Sequence, residues 1–188
     1  MTAVWLQLGD ARAAASNWIT SEFSQLRLIS SDDYVAGRQS LRLGIHIRLE
    51  AGWKTYWRNP GDVGIPTFFD WSSSQNVQKV FLSWPAPKRI SFEGLDSFGY
   101  EEEVVFPVRM RPTDPSSPVY INVEVSYAVC KEICLPLDAH VSLEIPVLSS
   151  SQETATQAYR SLIQKFEKRV PTRNDSQFNI IDARVNGG

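Results

Sequence analysis

The chain has 188 residues, of which 43% are hydrophobic and 21% charged, and its six Trp, six Tyr and nine Phe predict a folded protein. A formal charge of −2, with Lys and Arg scattered along the chain, argues against binding to nucleic acid through its phosphates. Stretches of 18 apolar residues, nucleotide-binding loops, serine nucleophile motifs and zinc-protease helices are all absent from the sequence, so it also argues against a membrane span, nucleotide binding and hydrolysis.

Residues 1–20 have a mixed character. Residues 11–15 (ARAAA) resemble the small-residue region before a signal cleavage site, but the basic start and long apolar stretch of a secretory signal are missing. We predict that residues 1–20 form a flexible tail or the remnant of a signal.

Alternation of apolar and polar side chains with a period of two is the clearest structural signal. In residues 41–49 every second residue is Leu or Ile, which predicts a half-buried strand with His46 on its polar face, most simply as a surface histidine. Turn residues separate similar runs, and no helical pattern interrupts them, so residues 21–148 should form an all-β, antiparallel sandwich. The predicted strands are 25–30, 41–49, 79–84, 104–110, 119–127 and 141–147.

The pattern becomes helical after residue 148. Apolar residues recur at helical spacing from Glu153 to Arg169, and Pro171 stops the run, which predicts one amphipathic helix within residues 149–171. Residues 178–181 (FNII) resemble the start of a strand that has no partner in this sequence. We therefore expect residues 172–188 to begin a further segment, and the natural polypeptide to continue beyond Gly188.

The two cysteines, Cys130 and Cys134, lie at the end of a predicted strand. On a continuous strand they would be roughly 13 Å apart, which is beyond the limit of about 7 Å between the Cα atoms of a disulfide. We expect residues 131–133 to form one helical turn, which would bring these Cα atoms to about 6 Å, and Pro136 to end that turn.

Three interpretations of the cysteine pair remain open. It can be a structural disulfide in a module that only docks proteins, although so small a loop constrains the unfolded chain weakly. It can bind copper through both thiolates, with His140 as a third ligand. It can exchange electrons with other thiols, because a local disulfide at a strand end offers one sulfur to attack and a second to resolve the product. We favour exchange, with Cys134, which we expect to be the more exposed, attacking first.

Four segments in this order resemble the N-terminal periplasmic domain of the DsbD family, and its ScsB branch in particular. They are residues 52–64 (GWKTYWRNPGDVG), 84–87 (WPAP), 98–101 (FGYE) with 104–108 (VVFPV), and 130–136 (CKEICLP). The resemblance covers about residues 26–147. One departure is that the DsbD branch has five residues between its cysteines, where this chain has three.

The resemblance implies an immunoglobulin-like sandwich whose catalytic residues are Cys130 and Cys134, with no cofactor. It implies electron transfer from a membrane-embedded cysteine pair, of the same protein or of a partner, to periplasmic acceptors with a thioredoxin fold or a similar one. It also implies a periplasmic location, tethered to the inner membrane.

Other side chains are candidates for shielding the disulfide or for moving protons beside it. The alternative for the aromatic residues is packing in the core, and for the acidic and histidine residues a place on the solvated surface. The candidates are Tyr56, Trp57, Phe98, Tyr100, Glu101 and His140.

Overall fold

Two antiparallel sheets form a β-sandwich in the computed structural model, which describes residues 15–148 and 153–172. The predicted all-β, immunoglobulin-like architecture with a helix near the C-terminal end is confirmed. The elements are β1 (Ile19–Thr20), β2 (Ser24–Ser30), β3 (Leu41–Leu49), β4 (Lys54–Gly61), β5 (Phe68–Asp70), β6 (Val77–Leu82), β7 (Lys88–Phe92), β8 (Leu95–Glu101), β9 (Glu103–Pro112), β10 (Val119–Cys130), β11 (Cys134–Ile145) and α1 (Glu153–Glu167).

The sheets differ in what they carry on their outer faces. The first has the strand order β1-β2-β3-β9-β6 and is called the helix sheet, because α1 packs on it. The second has the order β11-β10-β4-β8-β7, with β5 also paired to β10, and is called the cysteine sheet. In the described ranges no helix is long and apolar enough to cross a membrane.

The core lies between the sheets and is built from the alternating apolar residues of β2, β3, β9 and β10. Each fully buried Leu, Ile or Val contributes roughly 1.5–3 kcal/mol relative to an exposed one. Phe106 stands at the centre of an aromatic group, and the rings around it meet it edge to face, an arrangement that aromatic pairs prefer. Those rings belong to Phe69, Trp84 and Tyr100.

Strand β4 was not among the predicted strands. Residues 59–61 (NPG) have a loop composition, yet β4 runs from Lys54 to Gly61. Its register with β8 shifts between Tyr56 and Gly61. An irregular stretch of this kind tolerates the proline, which cannot donate a ladder hydrogen bond.

Helix α1 covers part of the outer face of the helix sheet. A β-carbon at Gly44 would lie 2.5 Å from the side chain of Val105 and 3.3 Å from that of Ile163, so the absence of a side chain at this position lets the helix approach the sheet. The prediction that β3 is half buried is therefore wrong between residues 43 and 47, where both faces are covered.

Residues 15–20, which the sequence analysis placed in a tail, run beside β2. Ala15 bridges to Ile29, and β1 pairs with β2. The rest of the predicted tail, residues 1–14, lies outside the described residues, as do the predicted strand start at residues 178–181 and residues 149–152.

His46, which points to the outer face of β3, is buried and does not lie on the protein surface. Its ring lies 4.9 Å from that of Trp18, and its side chain has no exposed area. The Nε2 atom lies 2.9 Å from Oε1 of Glu103, while Nε of Arg27 donates to Nδ1 at 3.4 Å. Burial lowers the pKa of His46 to about 4, although Glu103 acts in the opposite direction. His46 is therefore neutral at neutral pH.

Glu103 links the helix to the sheet. Its carboxylate lies 3.6 Å from Nζ of Lys165 on α1 and 3.6 Å from Nε of Arg48 on β3. Burial favours a higher pKa, but the hydrogen bond with His46 and these cations hold the pKa of Glu103 below its ordinary value.

We predict that the domain loses stability when the pH falls from about 7 to about 5, by about 2 kcal/mol. The unfolded chain gives His46 its ordinary pKa of 6.5 and takes up a proton, whereas the folded domain keeps the ring neutral. Acidification in this range therefore favours the unfolded state. Urea unfolding at the two pH values measures the loss.

A His46→Gln variant should lose most of this pH dependence. His140→Gln is the matched control, because the His140 side chain on β11 is 75% exposed, and it should keep the wild-type dependence. The same pH dependence in His46→Gln as in the wild type would contradict the assignment.

Candidate redox site

The cysteines close a β-hairpin. Cys130 ends β10, Cys134 begins β11, and the two are cross-strand partners whose Cα atoms are 4.1 Å apart in a disulfide. The backbone N–H of Lys131 donates to the carbonyl of Ile133 across the three-residue loop. The predicted helical turn is wrong, because β10 and β11 remain paired up to the cysteines and bring them together directly.

Pro136 lies within β11, opposite Ala128, and does not end a turn. β11 is the last strand of its sheet, and proline is tolerated in an edge strand where its missing N–H would face away from the neighbour. Hydrogen-bonded and non-hydrogen-bonded residue pairs alternate along an antiparallel ladder. Cys134 and Pro136 are two residues apart, so their backbone groups point to the same side of β11. The backbone N–H and C=O of Cys134 therefore point away from β10, beside its sulfur.

The disulfide lies on the outer face of the cysteine sheet and not in the main core. Odd-numbered residues of β10 face the core, so Ala128 and Cys130 face outward, yet they are 0% and 1% exposed. Tyr56 from β4 forms a separate buried cluster with them. The Tyr56 hydroxyl lies 3.8 Å from Sγ of Cys134, and Cys134 itself is exposed. The pair is asymmetric, with one shielded and one accessible cysteine.

The segment after β4, residues 62–67, holds Tyr56 in place. Gly64 has a φ of +118°, and a β-carbon there would lie 2.4 Å from the Tyr56 ring. The Thr67 hydroxyl donates to the Tyr56 carbonyl at 3.1 Å. Burial raises the pKa of Tyr56, which keeps its hydroxyl protonated beside the sulfur. Gly64 lies in a segment that carries the family resemblance, but no pattern in the sequence gives it this role or marks Thr67 as part of the site.

Lys54 is a further neighbour that sequence reasoning missed. It is the cross-strand partner of Cys130 in the β4–β10 pair, so their β-carbons are roughly 5 Å apart. A cation that approaches a cysteine sulfur favours its thiolate form, and Lys54 lies on the strand next to Cys130. Within residues 52–57, Lys54 and Tyr56 are two residues apart, a spacing that places them on the same face of a strand. Only the β4–β10 register shows that Lys54 is the residue facing Cys130.

The other aromatic candidates do not share the position of Tyr56. Tyr100 is 2% exposed in the core, and its hydroxyl donates to the carbonyl of Pro85 at 2.8 Å. Trp57 is half-buried and packs against the main core. Phe98 is half-buried in β8, where its strand partner is Arg89.

Glu101 and His140 are not brought to the sulfurs. The Glu101 carboxylate binds Lys88 at 2.9 Å, two strands away from Cys130, or roughly 10 Å across the sheet. His140 is six residues along β11 from Cys134, or roughly 20 Å, and lies 3.7 Å from Glu124. The copper ligand set of both cysteines and His140 is therefore not assembled. Within the described ranges, no group of three or more His, Cys, Asp and Glu side chains could hold a metal ion.

Comparisons with known proteins bear on the family and the fold. The family model described as "Thiol:disulfide interchange protein DsbD, N-terminal" matches residues 25–146. The N-terminal periplasmic domain of ScsB from Proteus mirabilis superposes with a TM-score of 0.66 at 24% identity, over 85% of this chain and 60% of that chain. This chain thus spans about 60% of the length of that structure.

The reduced N-terminal domain of DsbD from Neisseria meningitidis gives a TM-score of 0.35 at 15% identity, over 66% of this chain and 84% of that chain. No curated protein sequence matches the chain.

Replacing Tyr56 by Ala should open the shielded side of the disulfide. In the reduced protein we expect iodoacetamide to alkylate Cys130 about tenfold faster, as mass spectrometry measures, while the lost packing lowers the free energy of unfolding by about 3 kcal/mol. Tyr56→Phe is the control, because it keeps the ring and removes only the hydroxyl, and it should react at nearly the wild-type rate. Circular dichroism verifies that both variants are folded during the assay. Equal rates in the Ala and Phe variants would show that the ring does not shield Cys130.

Proposed function

The chain belongs to the family of DsbD N-terminal thiol:disulfide interchange domains, and from this membership we propose that it relays electrons from a membrane-embedded dithiol to disulfide-bonded periplasmic proteins. The observation that carries the proposal is the asymmetric pair at the hairpin tip, with Cys134 exposed and Cys130 buried under Tyr56. A purely structural disulfide does not need one sulfur open to attack. The domain thus acts as a protein-disulfide reductase within a longer electron-transfer chain.

The first half-reaction reduces the disulfide of the domain. A thiolate of the donor attacks Sγ of Cys134, the bond between the two cysteine sulfurs breaks, and Cys130 leaves as a thiolate. The second donor thiol then attacks the mixed disulfide at the donor sulfur, releases Cys134 and closes the donor disulfide. Two electrons pass to the domain, and solvent supplies the protons that balance the thiols.

The second half-reaction passes the electrons on. The Cys134 thiolate attacks the acceptor disulfide, forms a mixed disulfide and expels one acceptor thiolate. Cys130 then attacks Sγ of Cys134, releases the second acceptor thiol and restores the disulfide seen in this structure. Its position directly across the hairpin lets Cys130 reach that sulfur without a change of backbone.

The exposed edge of β11 supports a protein as the partner. An extended segment of a partner that lies along this edge can bond to the free backbone groups of Cys134 while its own sulfur approaches Sγ. Such pairing suits acceptors with a thioredoxin fold or a similar one. The reaction uses no cofactor, and the proposed setting is the periplasm, with the full-length protein tethered to the inner membrane.

Single cysteine variants test the assigned roles. Cys130→Ala leaves the exposed Cys134 without its resolving partner, so it should trap a mixed disulfide with an oxidised thioredoxin-fold disulfide isomerase. Cys134→Ala leaves only the shielded Cys130 and should trap about tenfold less, because access limits exchange. Non-reducing electrophoresis and mass spectrometry measure the trapped complex. Equal trapping, or more trapping by Cys134→Ala, would contradict the assignment.

A further inference from the structure

In the part of the chain that the structure describes, the outer face of the helix sheet is open beyond the area that α1 and Trp18 cover. Five exposed side chains from three neighbouring strands lie on this open part. We call it the arginine face, and it consists of Arg42 on β3, Arg109 and Arg111 on β9, and Lys79 and Phe81 on β6. It belongs to the sheet that does not carry the disulfide, so the proposed redox function does not use it.

The register of these strands places like charges opposite each other. Arg42 pairs with Arg109, and Lys79 pairs with Arg111. Like charges directly opposite in an antiparallel pair are destabilising. Another cross-strand pair of β3 and β9 has opposite charges, since Arg48 faces Glu103.

The arginine face has a surplus of positive charge among the residues that the structure describes. No carboxylate of the described residues makes an ion pair with Arg42, Arg109 or Arg111. The ring of Phe81 offers partial compensation, with Nζ of Lys79 at 4.7 Å and the guanidinium of Arg111 at 5.8 Å from its centre. The whole chain has a net charge of −2, so overall composition does not account for this local surplus of cations.

A cleft of about 810 Å³ lies along this face. Arg109 and Arg111 line it together with Phe81. Glu167 at the end of α1 and Val170 beyond it form part of its wall, so the end nearest the helix carries one carboxylate. Phe81 is 41% exposed, so the cleft offers an apolar contact among its cations. Clefts of this volume hold ligands that bury most of their surface.

We propose that the arginine face binds an extended acidic polypeptide segment whose carboxylates alternate along the chain. Arg109 and Arg111 are two residues apart on β9, so their backbones are roughly 6.6 Å apart, which is also the spacing of alternate residues in an extended peptide. Guanidinium groups pair with carboxylates through two parallel hydrogen bonds. A bound segment of this kind would neutralise both like-charge pairs at once.

The shape of the site favours a peptide over a membrane surface. A bilayer presents a broad plane of headgroups, whereas two of the cations, Arg109 and Arg111, line a recess beside the end of the helix. A single phosphate ion could contact one or two of the cations and would leave the others without a partner. A peptide with several carboxylates fits both the recess and the distribution of charge.

Fluorescence anisotropy tests the proposal with a labelled peptide of four Glu-Thr repeats, and a peptide of four Gln-Thr repeats serves as the uncharged control. At low ionic strength the acidic peptide should bind the wild-type domain, and the control peptide should not. Substituting Gln at both Arg109 and Arg111 should weaken binding by about tenfold or more. Arg89→Gln removes a cation of the cysteine sheet that is already paired with Asp96, and it should leave the affinity within about twofold of wild type.

Thermal unfolding provides a second test, because a substitution that weakens peptide binding should not lower the melting temperature. Arg109→Gln removes one member of a like-charge pair, so the free variant should melt at the same temperature as wild type or higher. If Arg109 were retained for stability, the variant would melt lower, and that result would overturn the proposal. The reduction potential of the cysteines should be unchanged in this variant, which separates this test from that of the redox function.

Three binding results would also overturn the proposal. They are no binding of the acidic peptide by the wild-type domain, equal binding of the Glu and Gln peptides, and equal loss of affinity in Arg89→Gln and the double variant. Binding of phosphatidylglycerol vesicles without binding of the peptide would instead identify the face as a membrane contact.

Discussion

The hairpin pairing of β10 with β11 is the constraint on which the site depends. The two strands stay in register over their whole length, so the last residue of one faces the first residue of the other. Because those residues are Cys130 and Cys134, the backbone ladder sets the distance between the sulfurs before any side chain is considered. The loop of three residues only closes the turn. A slip of one residue would place one cysteine on the core face and separate the pair.

The chemistry follows from where the outer face of the cysteine sheet is covered. An outward-facing sulfur is normally open to solvent, but Tyr56 lies over Cys130, and residues 62–67 hold Tyr56 in place. Cys134 stays exposed, although the Tyr56 hydroxyl lies 3.8 Å from its Sγ. The same small area thus provides an accessible sulfur, a shielded sulfur and a free strand edge, and this combination suits exchange with a protein better than it suits a structural role.

The strands with a clear period-two pattern were predictable from the sequence. Residues 41–49 and 119–127 alternate without interruption, and they form β3 and most of β10. β4 was missed because its Pro and Gly residues resemble a loop. The hairpin was missed because residues 131–133 (KEI) include none of the residues that usually mark a tight turn.

The site was predictable only in part, because some of its properties depend on contacts that are distant in sequence. The cysteine pair and the family came from local motifs, and the family assignment is confirmed. The shielding of Cys130 by Tyr56 requires residues 74 positions apart to meet, so a local pattern shows only that Tyr56 is a candidate. The burial of His46 involves Trp18 and Glu103, which lie 28 and 57 positions away in the sequence, and nothing near position 46 indicates it.

The reduction potential of the Cys130–Cys134 pair tests the central claim most directly. Equilibration in graded thiol-disulfide buffers, followed by alkylation and mass spectrometry, gives the fraction oxidised at each potential. A carrier that both accepts and donates electrons should have a potential between roughly −180 and −270 mV. A potential below about −300 mV is typical of structural disulfides in secreted proteins and would contradict the proposed relay.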